Sequence, residues 1–310
     1  MRSFTRTWLG FAASAVLLLG AAPALAEGLL IRSTDLPAPA RASLQKDIDA
    51  ARAADPQVFS AVRSVRGVRP EVYRTFRNPA PTATAELRAL GKPALLALLS
   101  ELAYDGQPTS TLSPEERSAL LAGMVEAVGV IRDARSGPVL KAIFEGNTRD
   151  ATVLRMTGEA LGRLCGDAEL QTLQKHVGPL DSLREGAIRG LGHCKRVEAA
   201  TELAALLAKA PDAAAAEPIA VALGLVGSSW AWQALGPAAE QTGLAVREIA
   251  ARALVSALPR HGGKARNAIT RSMVMANHPI LPALLTTARA SATPEVAAVI
   301  DEVRARIAKR

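Results

Sequence analysis

Between Ala127 and Leu235 the apolar positions run in helical steps broken by short polar turns, and the break itself repeats. AVGVIRDARSGPVL begins at Ala127, ALGRLCGDAELQTL at Ala160, GLGHCKRVEAATEL at Gly190 and ALGLVGSSWAWQAL at Ala222, and the four stretches align without a gap. Each opens with a small residue, a large apolar one and a glycine (Gly129, Gly162, Gly192, Gly224), which suits close approach of helices near the end of the first helix. An apolar residue follows at Ile131, Leu164, Cys194 and Val226, then a polar turn, then a second helix marked by Leu140, Leu173, Leu203 and Leu235. Two helices in a unit of about 30 residues cannot bury their apolar faces alone, so the units are predicted to stack into an all-α solenoid.

Weaker copies extend the array. LRALGKPALLALLSEL from Leu87 fits a turn and second helix, VREIAARALVSAL from Val246 a first helix with Val255 in the glycine position, and HPILPALLTTA from His278 another second helix. The pattern V-R-x-x-A-x-x-A-L, then glycine, then A-L-x-x-L resembles the short bacterial HEAT repeats of the phycobilin-lyase-like type. Arg247 and Arg184 match that family's first-helix arginine, whereas Leu121 and Ala216 replace it in two units and the usual Asp-Pro turn is mostly missing. The resemblance implies a superhelical stack of antiparallel helix pairs over residues 83–290. It carries no catalytic residue with it, because such units serve very different functions.

Outside the array the pattern changes twice. RASLQKDIDAARAAD, from Arg41, places Leu44, Ile48 and Ala51 on one helical face and ends at Asp55-Pro56. Shorter helical pieces are predicted around Val58 to Val65 and Pro70 to Phe76, and Asn78 to Pro81 reads as a boundary. Residues 27–82 are therefore expected to cap the first unit, or to fold onto a partner. Residues 291–310 contain TPEVAAVIDEVRARI, an amphipathic helix suited to closing the other end. Ahead of all this, Arg2 and Arg6 precede an apolar core from Trp8 to Gly20 and the triplet Ala24, Leu25, Ala26. That is the layout of a secretory signal peptide cut after Ala26, and it predicts a periplasmic or secreted chain with no membrane span once matured.

Composition sharpens the picture modestly. Removing residues 1–26 takes away two arginines and leaves a net charge of +6, which favours acidic partners. Aromatic residues make up 3% of the chain, too few for a base-stacking surface, so nucleic acid is disfavoured. Thin helical layers filled by Ala, Leu and Val suit such a composition better than one deep core.

Cys165 and Cys194 fall at the bends of adjacent units, one register position apart, and a disulfide is favoured over two free thiols. A metal site recruiting His176 and His193 lacks any close-spaced chelating pair. No G-x-S-x-G elbow occurs, the four histidines (176, 193, 261, 278) show no informative spacing, and Glu115 and Glu116 follow Pro114 in a first helical turn, where the helix dipole explains them. No cofactor is indicated.

Stacking places equivalent turns side by side. Arg132, Arg135, Arg163, His193, Lys195, Arg196, Trp230 and Arg260, with His261 and Lys264, are expected to form a partly basic ridge diluted by Asp133, Asp167, Glu169 and Glu198. Alignment turns Trp232 inward and Trp230 outward. The expected function is non-catalytic binding of another macromolecule, a protein or an acidic polymer, through the ridge or a concave face, by a monomer or in a transient complex. The alternative is a ligand-handling or lyase-like enzyme with a pocket between the solenoid and the N-terminal segment.

Overall fold

The computed structural model describes residues 27–66, 83–179 and 181–309. The expected leader and its cleavage after Ala26, the helical piece expected around Pro70 to Phe76 and the boundary expected at Asn78 to Pro81 lie outside the described residues. What is described is all-α: α1 (Ala38–Ala54), α2 (Pro56–Ser64), α3 (Thr84–Ala89), α4 (Leu95–Ala103), α5 (Pro114–Ile131), α6 (Gly137–Glu145), α7 (Ala151–Leu164) and α8 (Asp167–Lys175). There follow α9 (Arg184–His193), α10 (Val197–Ala208), α11 (Ala213–Val226), α12 (Ser229–Gln233), α13 (Glu240–Ala257), α14 (Gly263–Ala276), α15 (Leu281–Ala290) and α16 (Pro294–Ala308).

Local chemistry sets the ends. Ser113 and Glu116 form a reciprocal capping box at the start of α5, with Pro114 in the first helical position, so Glu116 has a structural role. Asp150, Asp212 and Thr293 cap α7, α11 and α16 by accepting backbone N–H donors. At the other ends, Arg132, Cys165 and Asn277 terminate α5, α7 and α14 in the left-handed conformation.

The helices form two layers of a solenoid. First helices α5, α7, α9, α11, α14 and α16 stack in one row, with the short α3 packed on α5, and second helices α4, α6, α8, α10, α13 and α15 lie in the other. The glycines line up as the repeat requires. A Cβ at Gly162 would lie 1.9 Å from the Gly190 carbonyl oxygen, so these two helices meet backbone to backbone. Gly129 faces Ala160, Gly192 faces Ala222 and Gly224 faces Ser272 in the same manner.

The last contact corrects one expectation. The first helix that follows α11 is α14, not the segment from Val246, which belongs to α13 and stacks on the second helix α10. The cause is the stretch after Gly227: α12 is a five-residue stub that stops at Gly236, whose φ is +83°, and Pro237 starts a short 3-10 turn. The second helix is thereby delayed to Glu240. Leu235, expected as a second-helix core residue, is 46% exposed, and Arg247 sits in the second row. Trp232 is buried, as its register predicts. The run Ala213–Gln233 is also long and apolar enough to cross a membrane, but half of it is buried between α9 and α14.

At the N-terminal end α1 and α2 pack on α4, whose residues Leu98, Leu99 and Leu102 are fully buried. Residues 27–31 lie against the end of α4, where Leu29 and Leu30 donate to the carbonyls of Glu101 and Leu102. A charged cluster fastens the cap: Glu101, 1% exposed, accepts from Arg63 Nε at 2.6 Å, Arg66 Nη2 at 3.1 Å and the Gln107 backbone at 3.0 Å. Asp105 pairs with Arg63 at 2.6 Å and Arg52 at 3.4 Å. Among the described residues the contact between the cap and the solenoid is thus filled by packed side chains. At the far end α16 buries Val296, Ile300 and Val303.

Candidate binding edge

The turns from first to second helices gather along one edge of the stack, and the disulfide is its midpoint. Cys165 ends α7 and Cys194 ends α9. Their Cα atoms are 5.2 Å apart and the sulfurs are bonded. Helices at ordinary packing distance would hold such residues too far apart. Here the glycine contact between α7 and α9 draws the helices together, which makes the bond possible.

Beside the disulfide lies a cluster that register alone foreshadows. Glu159 and Arg189 occupy the same position, one residue before the repeat block, in consecutive units, and Arg163 and His193 share another. In the fold the Glu159 carboxylate, 7% exposed, meets Arg189 Nη1 at 3.0 Å, Arg163 Nη2 at 3.3 Å and His193 Nε2 at 3.4 Å. Burial pulls the Glu159 carboxyl upward, but His193, Arg189 and Arg163 together hold it below the usual carboxylate range. One carboxylate faces three basic groups, and Arg163 Nη1 is buried without a hydrogen-bond partner. Sequence reasoning found Arg163 and His193 but missed Glu159 and Arg189, although comparing neighbours at one register position would have paired them.

Lys195 is built in more deeply than a rim residue. Its ammonium donates to the carbonyls of Leu225 at 2.5 Å and Val226 at 3.3 Å, closing the C-terminal end of α11. The same ammonium stands 6.0 Å from the Trp232 ring centroid. Burial first, and the nearby Arg132 charge second, push its pKa down to about 8. Trp232 also donates Nε1–H to the Val226 carbonyl at 2.7 Å and packs against Gly243, where a Cβ would come within 2.9 Å of the ring. These contacts fix the stub α12. Two residues away on it, Trp230 is 77% exposed, with Leu235 and Leu244 also exposed nearby in the chain.

The remaining ridge residues divide. Arg135 is neutralised by Asp133 at 2.8 Å and Asp47 at 3.6 Å, and the hydrogen bond from Arg135 holds the Asp133 carboxyl low. Arg196 is taken up by Asp167 at 2.6 Å and Glu198 at 2.9 Å. Arg132 is exposed and makes no ion pair among the described residues. Arg260 does not belong to this edge. It follows α13, a second helix, and donates to the carbonyls of Ala208 and Leu207 at the end of α10, on the opposite side of the stack. His261 and Lys264 go with it, for the reason that displaced α13.

Other chemistry is dispersed. His176 hydrogen-bonds Asp181 and Glu145, away from the cysteines, and no group of three or more His, Cys, Asp or Glu converges among the described residues. A cleft of about 480 Å³ between α13, α15 and α16 is lined by Val255, Leu258, Leu284 and Ile300, with Arg252 at its rim.

No family model and no curated protein sequence matches the chain. Among solved structures it is similar to human deoxyhypusine hydroxylase in complex with glycerol, at 16% identity and a TM-score of 0.29, over 86% of this chain and 98% of that one. A likeness that distant carries no functional weight.

Proposed function

We propose that the chain is an exported, non-catalytic scaffold of HEAT-like units that holds another protein at the edge formed by its first-to-second helix turns. The observation that carries this reading is Trp230. A large aromatic side chain stands 77% exposed on a stub that Trp232, Lys195 and Gly243 hold rigidly in place. Fixing the backbone beneath an exposed tryptophan in advance removes part of the ordering cost of association, and tryptophan and arginine dominate binding hot spots. Export is supported by the leader sequence and is compatible with the disulfide.

The test is a photo-reactive residue placed at position 230 in cells that produce the protein, with a second at Val221 on the first-helix layer as control. The expected outcome is one reproducible protein crosslinked from position 230 and not from 221, identified by mass spectrometry. Equal labelling from both sites, or none from position 230, would remove the reading.

A further inference from the structure

The edge has a charge imbalance that its own side chains do not resolve. Of the four acids along the turns, Asp133, Asp167 and Glu198 are already engaged by Arg135 and Arg196, and Glu169 lies beside Gly137 and Gly166, so it offsets only one of the cations that remain. What remains is Arg132 without an ion pair, Arg163 with an unpartnered buried Nη1, His193, and Lys195, whose acceptors are two neutral carbonyls. Glu159 is the one carboxylate set against Arg163, Arg189 and His193. These groups are neighbours: Arg163 Nη1 passes 3.4 Å from where a Gly129 Cβ would stand, three residues before Arg132, and Lys195 follows His193 by two.

Charge excess alone would suit any anion. The apolar half of the site narrows the choice. Lys195 lies against the ring of Trp232, and α12 carries Trp230 outward from there, so cations and an exposed indole share one short stretch of edge. A phosphate- or sulfate-bearing polymer would satisfy the cations and leave the indole wet. A polypeptide supplies both carboxylates, which match the forked guanidinium, and a side chain to cover the ring.

We propose that the ridge of Arg132, Arg163, His193 and Lys195, with Trp230, takes an acidic segment of a partner protein in which paired carboxylates lie beside a large apolar residue. This rests on the scaffold reading above and specifies what the partner presents.

The experiment uses the mature chain, its disulfide intact, and a fluorescent ten-residue peptide in which glutamates flank a single phenylalanine. The comparison probes are the same peptide with glycine for phenylalanine, its lysine-for-glutamate counterpart, a heparin oligosaccharide and phosphatidylglycerol vesicles. The glutamate–phenylalanine peptide is expected to bind best, and to weaken as salt rises. Arg132→Gly and Trp230→Ala are each expected to weaken it roughly tenfold, while Trp230→Ala leaves the phenylalanine-free peptide unaffected. Both positions are exposed, and glycine accepts the left-handed backbone at 132, so unchanged melting curves certify the fold. Wild-type affinity in both variants overturns the proposal, as does tighter binding of the heparin oligosaccharide or the vesicles than of the peptide. If position 230 crosslinks a protein in cells but the peptide fails to bind, the acidic segment is wrong and the scaffold stands. If neither occurs, both fall.

Discussion

Two buried carboxylates anchor this molecule, and they are used in opposite ways. Glu101, under the N-terminal cap, receives Arg63, Arg66 and a backbone N–H, while Asp105 shares Arg63 and takes Arg52. Acids and bases nearly balance there, and the cluster closes a seam between α2 and α4. Glu159, at the turn edge, receives Arg163, Arg189 and His193 with no second acid in the cluster. Positive charge is left over and reaches solvent through Arg132. The same device serves closure where it is balanced and presentation where it is not.

Replacing each glutamate tests this contrast. Glu101→Gln keeps the shape but leaves two arginines and a backbone N–H facing a buried neutral amide, and the expected loss is about 3 kcal/mol by chemical denaturation. It is expected to loosen α1 and α2 first, seen as faster hydrogen exchange in residues 38–64 than in α7. Uniform exchange across both regions would show that the seam is not a separate unit.

Glu159→Gln is expected to cost less, about 1–2 kcal/mol, because its contacts at 3.0, 3.3 and 3.4 Å are longer than those of Glu101. Its pH dependence supplies the sign. The folded carboxyl lies below its ordinary value of 4.5, so its contribution is complete above that pH and disappears as pH falls through the folded value. The stability gap between wild type and Glu159→Gln should therefore close in acid. A gap that persists at pH 2 would mean that packing, not charge, is responsible.

The smallest effect is expected from Arg132→Gly, under about 1 kcal/mol, since glycine suits a φ of 58°. Its interest lies in Lys195. With the neighbouring charge removed, the lysine pKa should move up from about 8, read by NMR titration of Nζ. In the wild type the folded lysine holds its proton less tightly than the unfolded one, so stability should rise as pH climbs from about 8 towards 10.5. A Lys195 pKa that ignores position 132 would sever the ridge into unrelated charges.

The pattern of glycines told the truth about the first-helix row because a missing Cβ is a direct record of contact: Gly162 on Gly190, Gly192 on Ala222. The alternation of apolar residues was less informative. VREIAARALVSAL has the spacing of a helix in either row, and nothing in its own residues records that α12 had already failed as a second helix. That one ambiguity moved Arg260 to the wrong edge. The outward and inward assignments of Trp230 and Trp232 followed correctly from register. Which arginines are spent on local acids depends on side-chain reach, and Arg135 and Arg196 became legible only in three dimensions.

The Cys165–Cys194 bond has a consequence for assembly. An array of similar modules can in principle fold with one module skipped, because each surface nearly fits the next but one. A covalent tie between these two neighbours works as a bookmark: any slipped stack would leave the thiols unable to meet, so oxidation selects the correct order of modules and then makes it permanent.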